Sequence, residues 1–207
     1  MNDKHDFLKP GLYAITPADW APNRLLPAVE AALAGGVHLL QYRAKPKADP
    51  DVARELLKLC GRAGAALIIN DDAELAAIVN AHGVHLGRDD TDPAGARTLL
   101  GEEAIIGVSC YNDLERARNL ARSGPDYIAF GSLFASPTKP DAVNCPPDVL
   151  TAAREIGLPV AAIGGITLDN APVAIEAGAD LLAVITDLFE AKDIEQRARQ
   201  YQELFTS

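Results

Sequence analysis

The feature that most constrains this chain is a set of eight short apolar runs spread along its whole length. In order they are LYAIT from residue 12, HLLQYR from 38, ALIIN from 66, GVHLG from 83, IIGVS from 105, YIAFG from 127, PVAAIG from 159 and LLAVIT from 181. Continuous apolar runs of this length are typical of strands that are buried on both faces of a parallel sheet. The chain is therefore predicted to be an α/β protein.

The segments between these runs carry apolar residues at helical spacing, as in Leu56, Leu57 and Cys60. Eight strands that alternate with helices are what closes a (β/α)8 barrel, because each crossover helix covers the outer face of the sheet. We predict one TIM-barrel domain over residues 1–207. An open, doubly wound sheet is the alternative, although no glycine-rich phosphate loop follows the first strand, where such folds carry it.

Turn residues give the expected boundaries of the helices. Glycines are predicted to end helices at Gly35, Gly64, Gly83, Gly101, Gly124, Gly157 and Gly178. Helix starts are predicted at Asp72, Thr167 and Asp187, whose side chains can cap a first turn.

The charge of the chain excludes some partners. Its formal net charge is −10, which disfavours non-specific attraction to nucleic acid or to an anionic membrane. The first ten residues are charged and no run is long and apolar enough to span a bilayer, so a soluble cytoplasmic protein is expected. Cys60, Cys110 and Cys145 show no zinc spacing and are predicted to be buried thiols.

Polar residues follow the predicted strands at one end, where a barrel of this kind carries its active site. They are Gln41, Arg43 and Lys45 after strand 2, Asn70 and Asp71 after strand 3, Asp89 and Asp90 after strand 4, Ser109 at strand 5, Ser136, Thr138 and Lys139 after strand 6, Gly164 and Gly165 after strand 7, and Thr186 after strand 8. Each has a plainer interpretation. Arg43 and Lys45 could be a solvated strand end, the acidic residues could be helix caps, and His85 is interpreted as a packed strand histidine.

The convergence of these groups at one rim favours a site for two anions. Glycine turns that open helices after strands 7 and 8 suit a phosphate monoester. Arg43 and Lys139 come from the opposite part of the ring, where Asp71 and Asp90 would repel a second phosphate unless a divalent cation lay between them. Mg²⁺ is expected there, since it is commonly held by one or two carboxylates and completed by phosphate oxygens and water.

The order and spacing of several motifs resemble the thiamine-phosphate synthase family. The motifs are LYAITP, QYRAK, IINDDAELA, GVHLGRDD, IIGVSC, DYIAFGSLFASPTK, AAIGGITLDN and AGADLLAVIT, and they cover nearly the whole chain. The resemblance implies a (β/α)8 barrel that joins 4-amino-2-methyl-5-hydroxymethylpyrimidine diphosphate to a thiazole phosphate. Thiamine monophosphate and pyrophosphate are the implied products.

The resemblance also implies roles for individual residues. Around the pyrimidine and its diphosphate it places Gln41, Arg43, Lys45, Asn70, Ser109 and Lys139, of which Arg43, Lys139 and Ser109 are the catalytic candidates. It implies that Mg²⁺ is bound by Asp71 and Asp90. The residues implied to bind the thiazole phosphate are Ser136, Thr138, Gly165, Ile185 and Thr186. The implied mechanism is loss of pyrophosphate followed by attack of the thiazole nitrogen, which carries no proton and needs little general base.

Four residues depart from the family pattern. Ser136 and Thr186 exchange one hydroxyl residue for another, Arg88 replaces a usual glutamine, and Tyr111 stands where histidine is common. A thiazole tautomerase of similar fold is an alternative, but it relies on histidine at the position of Tyr111. A non-catalytic phosphate-binding protein on the same scaffold is another, and it has no use for the acidic pair. An assembly of identical chains is compatible with the sequence, which does not specify its size.

Overall fold

In the computed structural model, which describes residues 4–135 and 144–206, the chain forms a closed barrel of eight parallel strands in chain order, and the last strand pairs with the first. The strands are β1 Gly11–Ile15, β2 Leu39–Tyr42, β3 Ala66–Asn70, β4 Gly83–Leu86, β5 Ile105–Tyr111, β6 Tyr127–Phe130, β7 Val160–Ile163 and β8 Leu181–Val184. Every predicted apolar run overlaps one of them. The predicted (β/α)8 barrel is confirmed.

Helices follow the strands on the outside of the barrel. In the described part of the chain they are α1 Pro22–Ala34, α2 Pro50–Ala63, α3 Ala73–Val79, α4 Pro93–Leu100, α5 Leu114–Ala121, α6 Pro147–Ala153, α7 Ala171–Glu176, α8 Thr186–Phe189 and α9 Ile194–Glu203. The small α8 follows β8 directly, and α9 packs against α1 and β1 to complete the outer layer.

Alternation along the strands divides the apolar residues into two cores. Residues such as Leu40 and Ile69 face the helices, whereas Leu39, Ile68 and Tyr127 fill the barrel interior. A short 3-10 helix, Lys4–Leu8, adds buried Phe7 and Leu8 to the interior core. Since Leu8 lies three residues before Gly11, this helix closes the amino-terminal end of the barrel, and the carboxyl end is left open for polar groups.

Some predicted helix boundaries are confirmed and others are wrong. Gly64 ends α2 in the left-handed conformation, and the Asp72 side chain caps α3 by accepting from the N–H of Leu75 at 2.7 Å. Gly83 ends no helix, because α3 stops earlier, at a left-handed Asn80. Gly83 instead begins β4, where a Cβ atom would lie 1.9 Å from the carbonyl oxygen of Ile105. The strand pairing, and not a helix stop, requires this glycine.

The predicted helix starts at Thr167 and Asp187 are also wrong. Helix α7 begins at Ala171, and Thr167 lies in the preceding turn, where its N–H donates to Oδ1 of Asn170 at 2.8 Å. Asp187 is the second residue of α8 and accepts from the Tyr201 hydroxyl at 2.7 Å. Thr167 therefore belongs to a local turn held by Asn170, whereas the Asp187 side chain serves a tertiary contact, which local sequence cannot reveal.

Two further predictions concern the chain as a whole. Cys60, Cys110 and Cys145 are buried thiols, as predicted. No helix in residues 4–135 and 144–206 is long and apolar enough to cross a bilayer.

Candidate active site

The end of β2 places three predicted residues in three different environments. Gln41 is 2% exposed and donates from Nε2 to the Tyr13 hydroxyl at 2.7 Å inside the barrel. Arg43 follows the strand and is half-buried, whereas Lys45 lies beyond it and is exposed. The strand thus turns from the interior core to a basic rim within five residues.

Thr16, which the sequence did not single out, holds the backbone of Arg43. Its hydroxyl accepts from the N–H of Arg43 at 2.8 Å and donates to the carbonyl oxygen of Arg43 at 2.9 Å. Thr16 is fully buried at the end of β1. A polar residue that ends an apolar strand, as in LYAIT, was the available signal.

Two of the acidic residues after β3 and β4, Asp71 and Asp90, are not helix caps. Asp72 caps α3, and Asp92 caps α4 by accepting from the N–H of Gly95 at 2.9 Å. Asp71 and Asp90 are left for another task. The plainer interpretation of these two carboxylates is therefore wrong, and a functional interpretation is favoured.

Asp71 and Asp90 converge on the loop at Gly87. Oδ2 of Asp90 accepts from the N–H of Gly87 at 2.6 Å. A Cβ atom built on Gly87 would lie 3.0 Å from Oδ2 of Asp90 and 3.9 Å from both Oδ1 of Asp71 and the Tyr111 hydroxyl. The two carboxylates from neighbouring strands consequently share one small space at the rim.

The electrostatics of this pair are unfavourable without a cation. Asp71 is exposed as a residue, but partial desolvation of its carboxyl group, and then the charge and hydrogen bond of Asp90, raise its pKa to about 6. A hydrogen bond from Asn70 and the charge of Arg43 act in the opposite direction. Asp71 also has a φ of 65°, in the left-handed region where non-glycine residues are uncommon.

The donor set at this point suits a hard divalent cation. The described residues contain no cluster of three or more His, Cys, Asp and Glu that could hold a metal by themselves. Two carboxylates with room for substrate oxygens and water match Mg²⁺, which rarely takes a complete set of protein ligands. Asp71 and Asp90 could therefore hold such an ion together with an anionic substrate.

Ser109 lies across the barrel from β2 and is joined to the interior. Its hydroxyl is 2.9 Å from Nε2 of His85, a buried strand histidine as predicted. Burial lowers the pKa of His85 to about 4. His85 is therefore neutral near pH 7, and it is a hydrogen-bonding partner of a candidate substrate contact.

The turn after β7 packs tightly against the loop after β6. Gly165 has a φ of 61°, and a Cβ atom there would lie 2.6 Å from the carbonyl oxygen of Ala135 and 2.8 Å from that of Phe134. Asn170 holds the turn by donating to the carbonyl oxygen of Gly165 at 2.9 Å. Glycine is thus required for loop packing as well as for any approach of a ligand, so substitution of Gly165 would not isolate a phosphate contact.

The remaining predicted residues complete the rim or lie outside the described chain. Ile185 is half-buried and immediately precedes α8, and Thr186 is the exposed first residue of that helix. Ser136, Thr138 and Lys139 lie outside the described residues.

Two of the departures from the family pattern contact each other. The guanidinium of Arg88 lies 4.8 Å from the centre of the Tyr111 ring, within the range of a cation–π interaction. Tyr111 has a φ of 60°, and Arg116 approaches the same ring at 5.9 Å. The ring is therefore held beside the acidic pair by two cationic groups.

Comparison with known proteins gives one consistent result. The family model for thiamine monophosphate synthase matches residues 12–188. A thiamine-phosphate synthase from Azoarcus sp. is 57% identical over 200 residues, which cover 94% of this chain and 97% of that protein. A thiamine-phosphate synthase from Methylobacillus flagellatus is 54% identical over 198 residues, which cover 94% and 95%.

Solved structures agree with this result. A thiamine phosphate pyrophosphorylase from Pyrococcus furiosus superposes with a TM-score of 0.85 at 29% identity and covers 99% of this chain and 98% of that one. A 3-hexulose-6-phosphate synthase superposes with a TM-score of 0.71 at 16% identity, over 94% of this chain and 99% of that one, and at that identity it shows the fold alone. The chain belongs to the thiamine monophosphate synthase family.

Proposed function

We propose that this chain condenses 4-amino-2-methyl-5-hydroxymethylpyrimidine diphosphate with a thiazole phosphate, forming thiamine monophosphate and releasing pyrophosphate, at the carboxyl rim of the barrel. Family membership supports the reaction, and curated relatives of 47–57% identity carry the name thiamine-phosphate synthase. The observation that carries the placement is the acidic pair beside Arg43. Two carboxylates and a guanidinium at the ends of β2, β3 and β4 suit a diphosphate that arrives with a cation.

In this proposal Arg43 acts on the leaving group. Its backbone is fixed by Thr16, and its charge is close enough to Asp71 to oppose part of the rise in the pKa of that carboxyl group. A fixed cation aimed at a diphosphate stabilises the negative charge that grows as the carbon–oxygen bond breaks. Arg43 is therefore proposed to be catalytic, together with Lys139 and Ser109.

The Mg²⁺ site is proposed at Asp71 and Asp90. When bound, the ion supplies charge neutralisation for the departing pyrophosphate. Asp71 and Asp90 contribute the carboxylate ligands, and the N–H of Gly87 orients the Asp90 carboxylate. Asn70 donates a hydrogen bond to Asp71 and so favours the ionised form that a metal requires.

The pyrimidine is proposed to lie between the ends of β2 and β5. Gln41 and Ser109 both present polar side chains from interior positions of these strands. Lys45 is exposed beyond β2 and is assigned to the diphosphate. The nucleophilic thiazole nitrogen carries no proton to remove, so the site needs no strong general base.

The thiazole phosphate is proposed to bind on the other side of the mouth. Gly165, Ile185 and Thr186 follow β7 and β8, where barrels of this kind bind phosphate through backbone N–H groups. Ser136 and Thr138 are assigned to the same substrate by family resemblance. A cytoplasmic location and an assembly of identical chains remain predictions.

The proposal is tested by supplying both substrates and Mg²⁺ to the purified chain and measuring pyrophosphate and thiamine monophosphate. Stoichiometric formation of the two products is expected. Tyr111 argues against a tautomerase, which would change the thiazole phosphate without releasing pyrophosphate. A phosphate-binding protein would bind the thiazole phosphate and release nothing. Either of these outcomes would overturn the proposal.

A further inference from the structure

A chain of hydrogen bonds crosses the barrel interior from β2 to β5. It runs through Gln41, Tyr13, Tyr127, His85 and Ser109, which lie on five different strands. Nε2 of Gln41 is 2.7 Å from the Tyr13 hydroxyl, the two tyrosine hydroxyls are 2.7 Å apart, and Nδ1 of His85 is 2.8 Å from the Tyr127 hydroxyl. The last link is the 2.9 Å contact between His85 and Ser109.

The interior is shaped to accommodate this chain. Tyr127 is fully buried, and its ring occupies the space where Gly107 has no side chain, since a Cβ atom there would lie 1.9 Å from Cζ of the ring. The ring stacks on His85 with centroids 5.5 Å apart and meets Tyr13 edge to face. Apolar side chains would fill the same space without hydrogen bonds, so packing alone does not require these polar groups.

The chain has one consistent direction. Nε2 of Gln41 donates to the Tyr13 hydroxyl, and the other hydrogen-bond partner of that hydroxyl among the described residues is Tyr127. Tyr13 is 1% exposed, so in the opposite direction its own proton would be buried without an acceptor; Tyr13 therefore gives its single proton to Tyr127. Tyr127 accepts that hydrogen bond and gives its own proton to Nδ1 of His85. His85 must then carry its proton on Nε2 and donate it to Ser109.

The direction of these hydrogen bonds fixes where the hydroxyl proton of Ser109 points. Because its oxygen already accepts from His85, its one proton is free to point to the rim. Reversing the chain would make Ser109 donate into the barrel and present only lone pairs to a ligand. The direction of the buried chain therefore decides whether Ser109 is a donor or an acceptor toward the substrate.

We infer that His85 and Tyr127 are positioning residues that keep the Ser109 hydroxyl turned outward as a hydrogen-bond donor to the pyrimidine substrate. This inference rests on the proposed function, which places Ser109 against that substrate. Neither His85 nor Tyr127 is required to touch the reacting atoms. They act by fixing a proton, which a purely packed core would leave free to reorient.

The tautomer of His85 is the direct test. Nitrogen-15 chemical shifts of the histidine rings in the substrate-free protein should show His85 protonated on Nε2 and unprotonated on Nδ1. Assignment is made by comparison with His85→Gln, because the chain has four histidines. An Nδ1-protonated ring, or an imidazolium at pH 7, would overturn the inference without bearing on the proposed function.

A double-mutant cycle tests the functional consequence. Tyr127→Phe should lower kcat/KM for the pyrimidine diphosphate about tenfold, the loss expected for a misdirected hydrogen bond. In a Ser109→Ala background the same substitution should have no further effect, because its target is absent. Independent structural effects would instead multiply. Tyr201→Phe is the matched control, because it removes another buried hydroxyl, which bonds to Asp187 and is not part of the hydrogen-bond network from Gln41 to Ser109.

Variants of His85 keep the inference testable if Tyr127→Phe does not fold. The amide nitrogen of Gln can reach the position of imidazole Nε2 and donate to Ser109, whereas the shorter Asn cannot. His85→Gln should therefore retain more activity than His85→Asn. Equal losses, or a multiplicative cycle in which Ser109→Ala is itself impaired, would overturn the inference alone. Parental kinetics of Ser109→Ala would overturn the placement of Ser109 in the proposed function.

Discussion

The two ends of the barrel treat carboxylates in opposite ways. At the closed, amino-terminal end, Asp126 is paired with Lys4 at 2.9 Å and Arg97 at 2.7 Å, and it also accepts from the N–H of Ile106 at 2.8 Å. At the open rim, Asp71 and Asp90 face each other, and the pKa of Asp71 is raised. The carboxylate at the closed end is therefore neutralised by cationic partners, whereas the two carboxylates at the open rim repel each other.

This difference separates charges that stabilise the fold from charges that serve a ligand. Asp126 has partners on every side and its side chain is 8% exposed, so it adds to stability and has nothing to offer a substrate. The rim pair raises the pKa of Asp71, and we propose that it lowers stability until the proposed cation binds, as charges at functional sites commonly do. Substitutions at the two ends should consequently have opposite effects on stability and activity.

The largest expected effect is at the rim, on turnover. Arg43→Ala should lower kcat by roughly two to three orders of magnitude, because one preorganised donor to a developing anion is worth about 2–4 kcal/mol. The circular dichroism spectrum should not change. Arg54→Ala, an exposed arginine on α2 whose partner is Asp51, should leave turnover unaltered. If kcat of Arg43→Ala fell by less than severalfold, the interpretation of Arg43 as a solvated strand end would be preferred.

The next effect is at the closed end, on stability. Asp126→Asn should cost about 2 kcal/mol, the value of hydrogen bonds to a charged group, and lower the melting temperature by roughly 4–8 °C. Turnover at 25 °C should stay parental. Glu55→Gln removes one partner of an exposed pair with Lys58, and it should cost less than about 0.5 kcal/mol. A lowered kcat in the Asp126→Asn variant would contradict the claim that Asp126 at the closed end serves stability alone.

The sequence predicted the barrel because the signal is repeated eight times and each strand is apolar. It also predicted that Arg43, Asp71 and Asp90 follow the ends of strands, since strand ends can be read from where apolar runs stop. Boundaries such as Gly83 and Asp187 were missed because tertiary contacts decide them. A glycine that admits the Ile105 backbone looks the same in sequence as one that ends a helix.

The interior network was missed for a related reason. Tyr13 and Tyr127 sit in runs that read as ordinary apolar strands, and only the register of the barrel brings their hydroxyls within 2.7 Å. The sequence analysis predicted Asp72 as a cap and, through the family resemblance, Asp71 and Asp90 as metal ligands, but the residue pattern left open that all of these acidic residues were caps. Cap geometry separates them, and that geometry depends on where each helix begins.

A smaller effect is expected on the cation requirement of the rim. Asp90→Asn should raise the Mg²⁺ concentration for half-maximal activity about tenfold, because a neutral amide is a weaker ligand than a carboxylate. The amide oxygen can still accept from Gly87, so the loop should persist. Asp89→Asn makes the same charge change at an exposed neighbour and is the matched control. Equal shifts in both variants would indicate a general charge effect and no metal ligand.

The smallest effect is on the stability of the metal-free rim, and its sign follows from the pKa of Asp71. Since that pKa is raised from 3.8 to about 6, the folded state holds the proton more tightly than the unfolded state. Stability from this group is complete below pH 3.8 and is lost as the pH rises through about 6. A variant with an uncharged residue at position 71 should therefore be more stable than the parent protein at neutral pH.

Asp71→Asn should accordingly melt about 1–3 °C higher than the parent at pH 7.5 in a chelator, which corresponds to less than about 1 kcal/mol because solvent screens the charge of this exposed residue. Asn also tolerates the left-handed conformation of this residue. The difference should vanish below about pH 4, and addition of Mg²⁺ with pyrophosphate should stabilise the parent more than the variant. A lower melting temperature for Asp71→Asn at pH 7.5 would mean that Asp71 is a structural carboxylate like Asp126, and the contrast between the two ends would fail at its most direct point.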